Sequence, residues 1–174
     1  MSYPGSLAAP TLPGAYPVVA MVNDSRFTGT TRSTLVIAAA EPETSRLSNL
    51  SVRTPLSARQ VLTVGLTLQG GEKSVLLRAA GPSLAAFGVN DPMADPGLVL
   101  FQGSSPIAAN DQWGGDVAIS AAAGAVGAFA FQAPSSLDAA LLTRFDGGRT
   151  VQVSGPASGT VLVEAYDAGA GASP

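Results

Sequence analysis

The chain has no histidine and no cysteine, and charged side chains make up only 12% of its 174 residues. Histidine is the usual general base near neutral pH, and cysteine is the usual soft nucleophile and thiolate ligand. Their absence excludes histidine-based triads, disulfides and Cys/His zinc sites. There is a single lysine, Lys73, and a single tryptophan, Trp113, and aromatic residues amount to 6%. The nine Lys and Arg residues are scattered against twelve acidic ones, for a formal net charge of −3. That is not the clustered basic footprint of a nucleic-acid binder, so no nucleic-acid partner is expected. No apolar run reaches the roughly 18–20 residues of a membrane-crossing helix, so no membrane span is expected either. The first 21 residues lack the basic and continuous apolar regions of a signal peptide. An exported chain would therefore need a targeting segment outside this sequence.

What is present builds sheets. Hydrophobic residues make up 46%, mostly Ala, Val and Leu, and Gly 20 and Pro 13 supply turns. Apolar runs at Tyr16–Val22 and Thr34–Ala39 read as strands within an otherwise Pro- and Gly-rich arm. The polar stretch Glu41–Ser45 is the best boundary. Beyond it, Val61–Leu68 alternates with period two, placing Leu62, Val64, Leu66 and Leu68 on one face. Gly70-Gly71 suits a tight hairpin, with Ser74–Ala79 as the return strand. Leu98–Gln102, Ile107–Ala109, Ala128–Phe131, Ala139–Phe145, Thr150–Ser154 and Thr160–Tyr166 read as further strands, with Asp146-Gly147-Gly148 as a turn. Ser83–Phe87 fits a single helical turn after Pro82. Val117–Val126 is an Ala-rich helix with Asp116 as N-cap.

The fold class expected is therefore all-β. It is a mostly antiparallel, jelly-roll-like β-sandwich with one short Ala-rich helix and a short helical turn. The organisation expected is an extended arm over residues 1–44, a sandwich over 45–168 and a tail over 169–174.

Few motifs carry chemistry. The segment Gly65–Ser74 superficially matches a phosphate loop, but Glu72 intrudes before Lys73 and the segment joins two strands. Asp91, Asp95, Asp111 and Asp116 lie in Gly/Pro-rich loops and are the candidate oxygen ligands for Ca²⁺, against a plainer role in turns. Trp113, beside Asn110 and Asp111, is the candidate glycan contact; the plainer reading packs its ring into the core with the indole N–H hydrogen-bonded. Asp138, Asp146, Glu164 and Asp167 fall at strand starts, turns and ends, and no spacing singles out a catalytic pair. No nucleophile, base and orienter can be named together, so no enzymatic activity and no obligatory cofactor are expected. Asn23-Asp24-Ser25 and Asn49-Leu50-Ser51 fit the glycosylation sequon, a short pattern that arises often by chance.

The segments SRLSNLSVRT, VLTVGLTLQGGEKSVLLRAAGPSLAAFGV, ADPGLVLF, IAANDQWGG, GAFAFQAPSSLDAALLTRFDGGRTVQVSG and VLVEAYDA, between Ser45 and Asp167, carry a resemblance. They are similar to an uncharacterised β-rich module near the C-terminal end of large secreted proteins of environmental bacteria, often after immunoglobulin-like repeats. The resemblance implies an extracellular or cell-surface setting and transfers no catalytic residues. Residues 1–44 are too short for a complete immunoglobulin-like domain.

Two functions are expected from this reading. In the first, the protein is an extracellular structural subunit whose partner is itself. Its arm, through Tyr16, Val18, Val19, Met21 and Val22, adds a strand to a neighbour, and a contact that does not close builds a filament. In the second, it is an adhesion module binding a polysaccharide through Trp113, Asn110 and Asp111.

Overall fold

A computed structural model describes residues 10–22, 24–38 and 47–169. The chain divides into two compact units, Met1–Arg46 and Leu47–Pro174. The polar stretch at 41–45, and residues 170–174 of the tail, lie outside the described residues.

The first unit is a two-stranded antiparallel ribbon of β1 (Gly14–Met21) and β2 (Thr30–Ile37). Eight consecutive residue pairs run from Gly14 with Ile37 to Met21 with Thr30. The strand expected at 16–22 is thus present, beginning two residues earlier and ending one residue earlier. The strand expected at 34–39 begins four residues earlier and pairs with the first. Directly paired residues share a face, so Tyr16, Val18 and Ala20 lie with Leu35 and Ile37, while Val19 and Met21 lie opposite Arg32 and Thr30. The connecting loop is closed by the Val22 amide donating to Gly29 O at 2.9 Å.

The second unit is a single six-stranded antiparallel sheet in the order β3-β8-β4-β7-β5-β6. The strands are β3 (Asn49–Leu56), β4 (Leu62–Ala80), β5 (Gly97–Gln102), β6 (Ser105–Asn110), β7 (Ala139–Ser154) and β8 (Gly159–Asp167). The element α1 (Val117–Ala125) and a 3-10 turn, Pro82–Phe87, complete it. Asp116 caps α1 as expected, accepting from the Ala118 and Ile119 amides.

Three expectations need correction. Gly70-Gly71 is not a hairpin turn: β4 runs through it for 19 residues, antiparallel to β7, which runs for 16 through Gly147-Gly148. Leu68 pairs with Gly147 and Lys73 with Phe145, so residues 69–72 bulge out opposite the lone Asp146. Four residues against one is a surplus of three. An odd surplus inverts the in–out alternation of a strand. Before the bulge the even residues Leu62, Val64, Leu66 and Leu68 face the core; after it the odd residues Val75, Leu77 and Ala79 do. Finally, residues 128–131 are not a strand but an irregular segment laid over the sheet.

The bulge makes a sandwich out of one sheet. β8 and β3 extend it beside the far half of β4, while β5 and β6 extend it beside the far half of β7. The two halves fold onto a shared core of Leu56, Val75, Leu77, Leu98, Leu100, Phe145, Val151, Val153, Val161 and Val163. The gap between the layers, lined by Leu50, Val52, Leu77 and Val163 against Val64, Leu66 and Val151, is only ≈ 10 Å³. That is about the least space that can hold one water, so this gap is packing and not a ligand cavity. A second cluster covers the outer face, where Ile119 and Ala123 of α1 pack on Leu76, Ala140 and Tyr166, flanked by Trp113 and Phe131.

Met93 locks the loop before β5 into this body. Its amide donates to Thr160 O at 2.8 Å. A Cβ on Gly81 would stand 2.2 Å from Met93 O, one on Gly155 2.6 Å from its Sδ, and one on Gly159 2.6 Å from its Cα. Three glycines thus form the socket for one methionine.

Candidate functional site

The most conspicuous polar constellation is buried. Arg78, 1% exposed, projects from β4 toward Glu164 of β8, with Nη1 3.2 Å from Oε2. Neither of these two atoms makes a hydrogen bond, so each is compensated only by the opposite charge. Arg78 Nη2 donates to Phe129 O at 2.8 Å, and the guanidinium lies 4.4 Å from the Phe129 ring centre and 4.2 Å from that of Phe131. Tyr166 Oη donates to Glu164 Oε1 at 2.7 Å. Burial lowers the pKa of Arg78 from its ordinary value, against the opposing pull of Glu164, Tyr166 and Asp138. Burial, and then the hydrogen bond to Glu164, raise that of the Tyr166 phenol.

Beside this cluster, Asp138 is fully buried and accepts from the Gly81 amide at 2.7 Å, the Ser83 amide at 3.3 Å, and the hydroxyls of Ser83 and Ser136. Ser83 Oγ in turn accepts from the Gln132 amide at 3.0 Å. A buried carboxylate with this many donors is fully satisfied. Arg78, Gly81, Ser83, Phe129, Phe131, Asp138, Glu164 and Tyr166 all lie in the segments that carry the sequence resemblance. Their order and spacing build an internal fastener between β4, β8 and the 128–138 segment, not a solvent-facing site. Asp138 and Glu164 were legible only as strand-end residues; nothing in their local sequence marks them as buried.

The candidate calcium ligands do not converge. Among the described residues no group of three or more His, Cys, Asp or Glu side chains could hold a metal ion. Asp116 is occupied as the α1 cap, and Asp91 Oδ1 accepts from Thr160 Oγ1 at 3.1 Å. Asp111 is exposed. Asp95 has a buried Oδ1 with no hydrogen-bond partner, but it stands alone.

Trp113 is half-buried. Its indole N–H donates to Ala133 O at 3.1 Å, and its ring meets Phe131 edge-on at 5.4 Å. Asn110 accepts from the Ala140 amide and donates to Gln112 O. The geometry gives Trp113 and Asn110 packing and loop-fixing roles.

Two surfaces remain open. The first is the β1–β2 ribbon, where each strand pairs only with the other, so each has an outer edge unpaired among the described residues. Of the expected assembly residues, Tyr16, Val18 and Val19 are half-buried by ribbon neighbours, whereas Met21 and Val22 are exposed. Met21 is 70% exposed and Val36 68%, with Leu12, Phe27 and Leu35 exposed as well. Tyr16 Oη is tied to Leu12 O at 2.8 Å. An isolated two-stranded ribbon is at best marginally stable in water, because it buries too little apolar surface.

The second surface lies on the sandwich. β3 is an edge strand, and beside it runs a groove of ≈ 450 Å³ lined by Ser51, Arg53, Leu84, Phe87, Val89, Phe129 and Leu162. Phe87 is 61% exposed and meets Phe129 edge-on at 4.8 Å. No local sequence signal marks this groove, because it joins residues from four separate segments.

Residues 1–41 match the family model of the MBG domain, a β-rich module. The match covers the ribbon and none of the sandwich. No curated protein and no solved structure matches the chain.

Proposed function

We propose that this chain is a non-catalytic structural module of an exported protein, and that it associates with other copies of itself by β-strand addition through its N-terminal ribbon. The observation that carries the reading is the ribbon: two fully paired eight-residue strands with both outer edges unpaired among the described residues and large apolar side chains exposed. Free edges offer unpaired backbone donors and acceptors, and exposed apolar faces gain by being covered. The match of residues 1–41 to a β-rich module family agrees with this region being a sheet-forming element. The sandwich supports the reading from the other side. Its polar side chains of unusual burial are consumed in holding the fold, and its carboxylates are dispersed.

The form of addition differs from that of an extended arm. β1 and β2 have each used one edge on the other, so the ribbon adds as a hairpin through one outer edge. An interface that uses different surfaces on the two copies is heterologous and extends into a filament unless the rotation closes it. The extracellular setting rests on the sequence resemblance of the sandwich segments.

The test compares the full chain with a version lacking residues 1–38, by electron microscopy and sedimentation velocity across a range of concentrations. Circular dichroism verifies that the shortened chain keeps its sheet. The full chain forms concentration-dependent polymers and the shortened chain stays monomeric. Equal behaviour of the two refutes assembly through the ribbon.

A further inference from the structure

Resting on that reading, we propose that the acceptor is the free edge of β3 together with the groove on its outer face, and that the occupant is the β2 edge of a second copy. The sandwich has two edge strands, β3 and β6. β6 is short, carries Pro106 and pairs with β5 through an irregularity, all of which blunt an edge. β3 pairs with β8 over eight uninterrupted positions, and its only proline, Pro55, lies next to its end. It is the edge that can template another strand.

On the donor side the two ribbon edges are also unequal. Pro17 removes a backbone donor from the middle of β1. β2 contains no proline and keeps every donor. β2 and β3 are each eight residues long, so they match in length.

The side chains then fall into place. The Val22 amide on Gly29 O and the Asp167 amide on Ser48 O set the hydrogen-bonding phase: the outer edge of β2 presents the backbone groups of Thr30, Arg32, Thr34 and Val36, and the free edge of β3 those of Asn49, Ser51, Arg53 and Pro55. Opposed residues of an antiparallel pair share that phase, so in the register one residue off full alignment that keeps Arg32 from directly facing Arg53, Thr34 falls opposite Arg53 and Val36 opposite Ser51. Ser51 and Arg53 are the β3 residues that line the groove. The ribbon face that carries Val36, Val19 and Met21 therefore lies on the groove side, where Leu84, Phe87, Val89, Phe129 and Leu162 offer apolar wall, and Val36 and Met21 are among the most exposed apolar side chains of the ribbon. Arg53 has no hydrogen bond or ion pair among the described residues, and Thr34 would bring it a hydroxyl acceptor. Arg32 falls opposite Pro55, so the two arginines are not directly paired.

The chain has no cysteine, which makes the register directly testable. Val36→Cys and Ser51→Cys are made as separate variants of the full chain, mixed, and oxidised. The proposal expects about tenfold more disulfide-linked dimer in the mixture than in either variant alone, because only facing residues meet the distance requirement of the bond. The double variant V36C/S51C is expected to give a ladder of covalent multimers; closure within a monomer would place the ribbon on its own β3 and overturn the proposal. Sedimentation of the unmodified chain separates the two levels of inference. If it assembles but the mixture does not cross-link, the β3 acceptor is wrong and ribbon-driven assembly stands; if it stays monomeric and does not cross-link, both fail. Phe87→Ser, at an exposed groove position, is expected to weaken assembly at least about tenfold with Trp113 fluorescence unchanged, and unaltered assembly refutes the part given to the groove.

Discussion

Replacing Arg78 by methionine should show that the polar cluster is a fastener whose two charges depend on each other. Methionine keeps most of the side-chain length and removes the charge. It strands Glu164, which is 4% exposed and retains only the Tyr166 hydroxyl as donor. It also removes the bond to Phe129 O and the contacts at 4.4 and 4.2 Å with two aromatic rings. Breaking one side of a buried pair costs about 3–5 kcal/mol, because the remaining charge is left uncompensated. Against a total stability of roughly 5–15 kcal/mol that is a large fraction. It corresponds to a fall in Tm of roughly 6–20 °C for a protein of this size. Glu164→Gln should cost a comparable amount by stranding the guanidinium. The double variant R78M/E164Q restores neutrality, so its loss should be smaller than the sum of the two single losses by about 2 kcal/mol or more. Urea unfolding followed by the fluorescence of Trp113 reports this well, since Trp113 touches Phe131, which touches Arg78. If either single change costs under about 1 kcal/mol, or if the losses add, the cluster does not hold the fold in the way described.

Further outcomes follow from single contacts. Gly81→Ala should destabilise severely or prevent folding, because its Cβ would stand 2.2 Å from a backbone oxygen that has no room to move. Gly124→Ala, in α1 with nothing within 4 Å, should stabilise by about 0.5–1 kcal/mol; thermal denaturation of both variants checks the contrast. The Tyr166 phenol is held protonated above the ordinary tyrosine range. A group whose folded pKa is raised contributes stability that is full below its unfolded value, about pH 10, and is lost as pH rises through its folded value. Stability should therefore fall above about pH 10, and Tyr166→Phe should lessen that slope in alkaline denaturation. An unchanged slope would mean that the phenol is not buried against Glu164.

Much of the fold was legible from local pattern. Leu62, Val64, Leu66 and Leu68 alternate, and alternation is a direct consequence of strand geometry, so that face was readable. Asp116 and the residues around Pro82 marked α1 and the 3-10 turn because capping and proline chemistry act within four residues. Gly70-Gly71 was misread for an equally local reason. Two positive-φ glycines suit both a hairpin turn and a bulge, and only the strand paired alongside, with Asp146 opposite, distinguishes them. Phe129 and Phe131 alternate like a strand, yet their rings are drawn to the Arg78 guanidinium and to Trp113.

The site divides in the same way. The apolar ribbon residues Tyr16, Val18, Val19, Met21 and Val22 announce themselves by sequence. The β3 groove does not, since Ser51, Leu84, Phe129 and Leu162 meet only after β8 has placed β3 at an edge. Asp138 looks like any acidic residue at a strand start until Gly81, Ser83 and Ser136 converge on it.

By itself, the amino-acid sequence determined which chemistry is unavailable to this protein. It also determined that the protein is built of strands, because side-chain inventory and period-two alternation are properties of the chain at short range. Tertiary structure alone decided that one sheet becomes two layers, since the surplus of three residues in β4 exists only relative to β7. It also decided which charges are buried as partners and which edges are left free. Both are fixed by contacts between residues far apart in the chain, and the local sequence carries no record of those contacts.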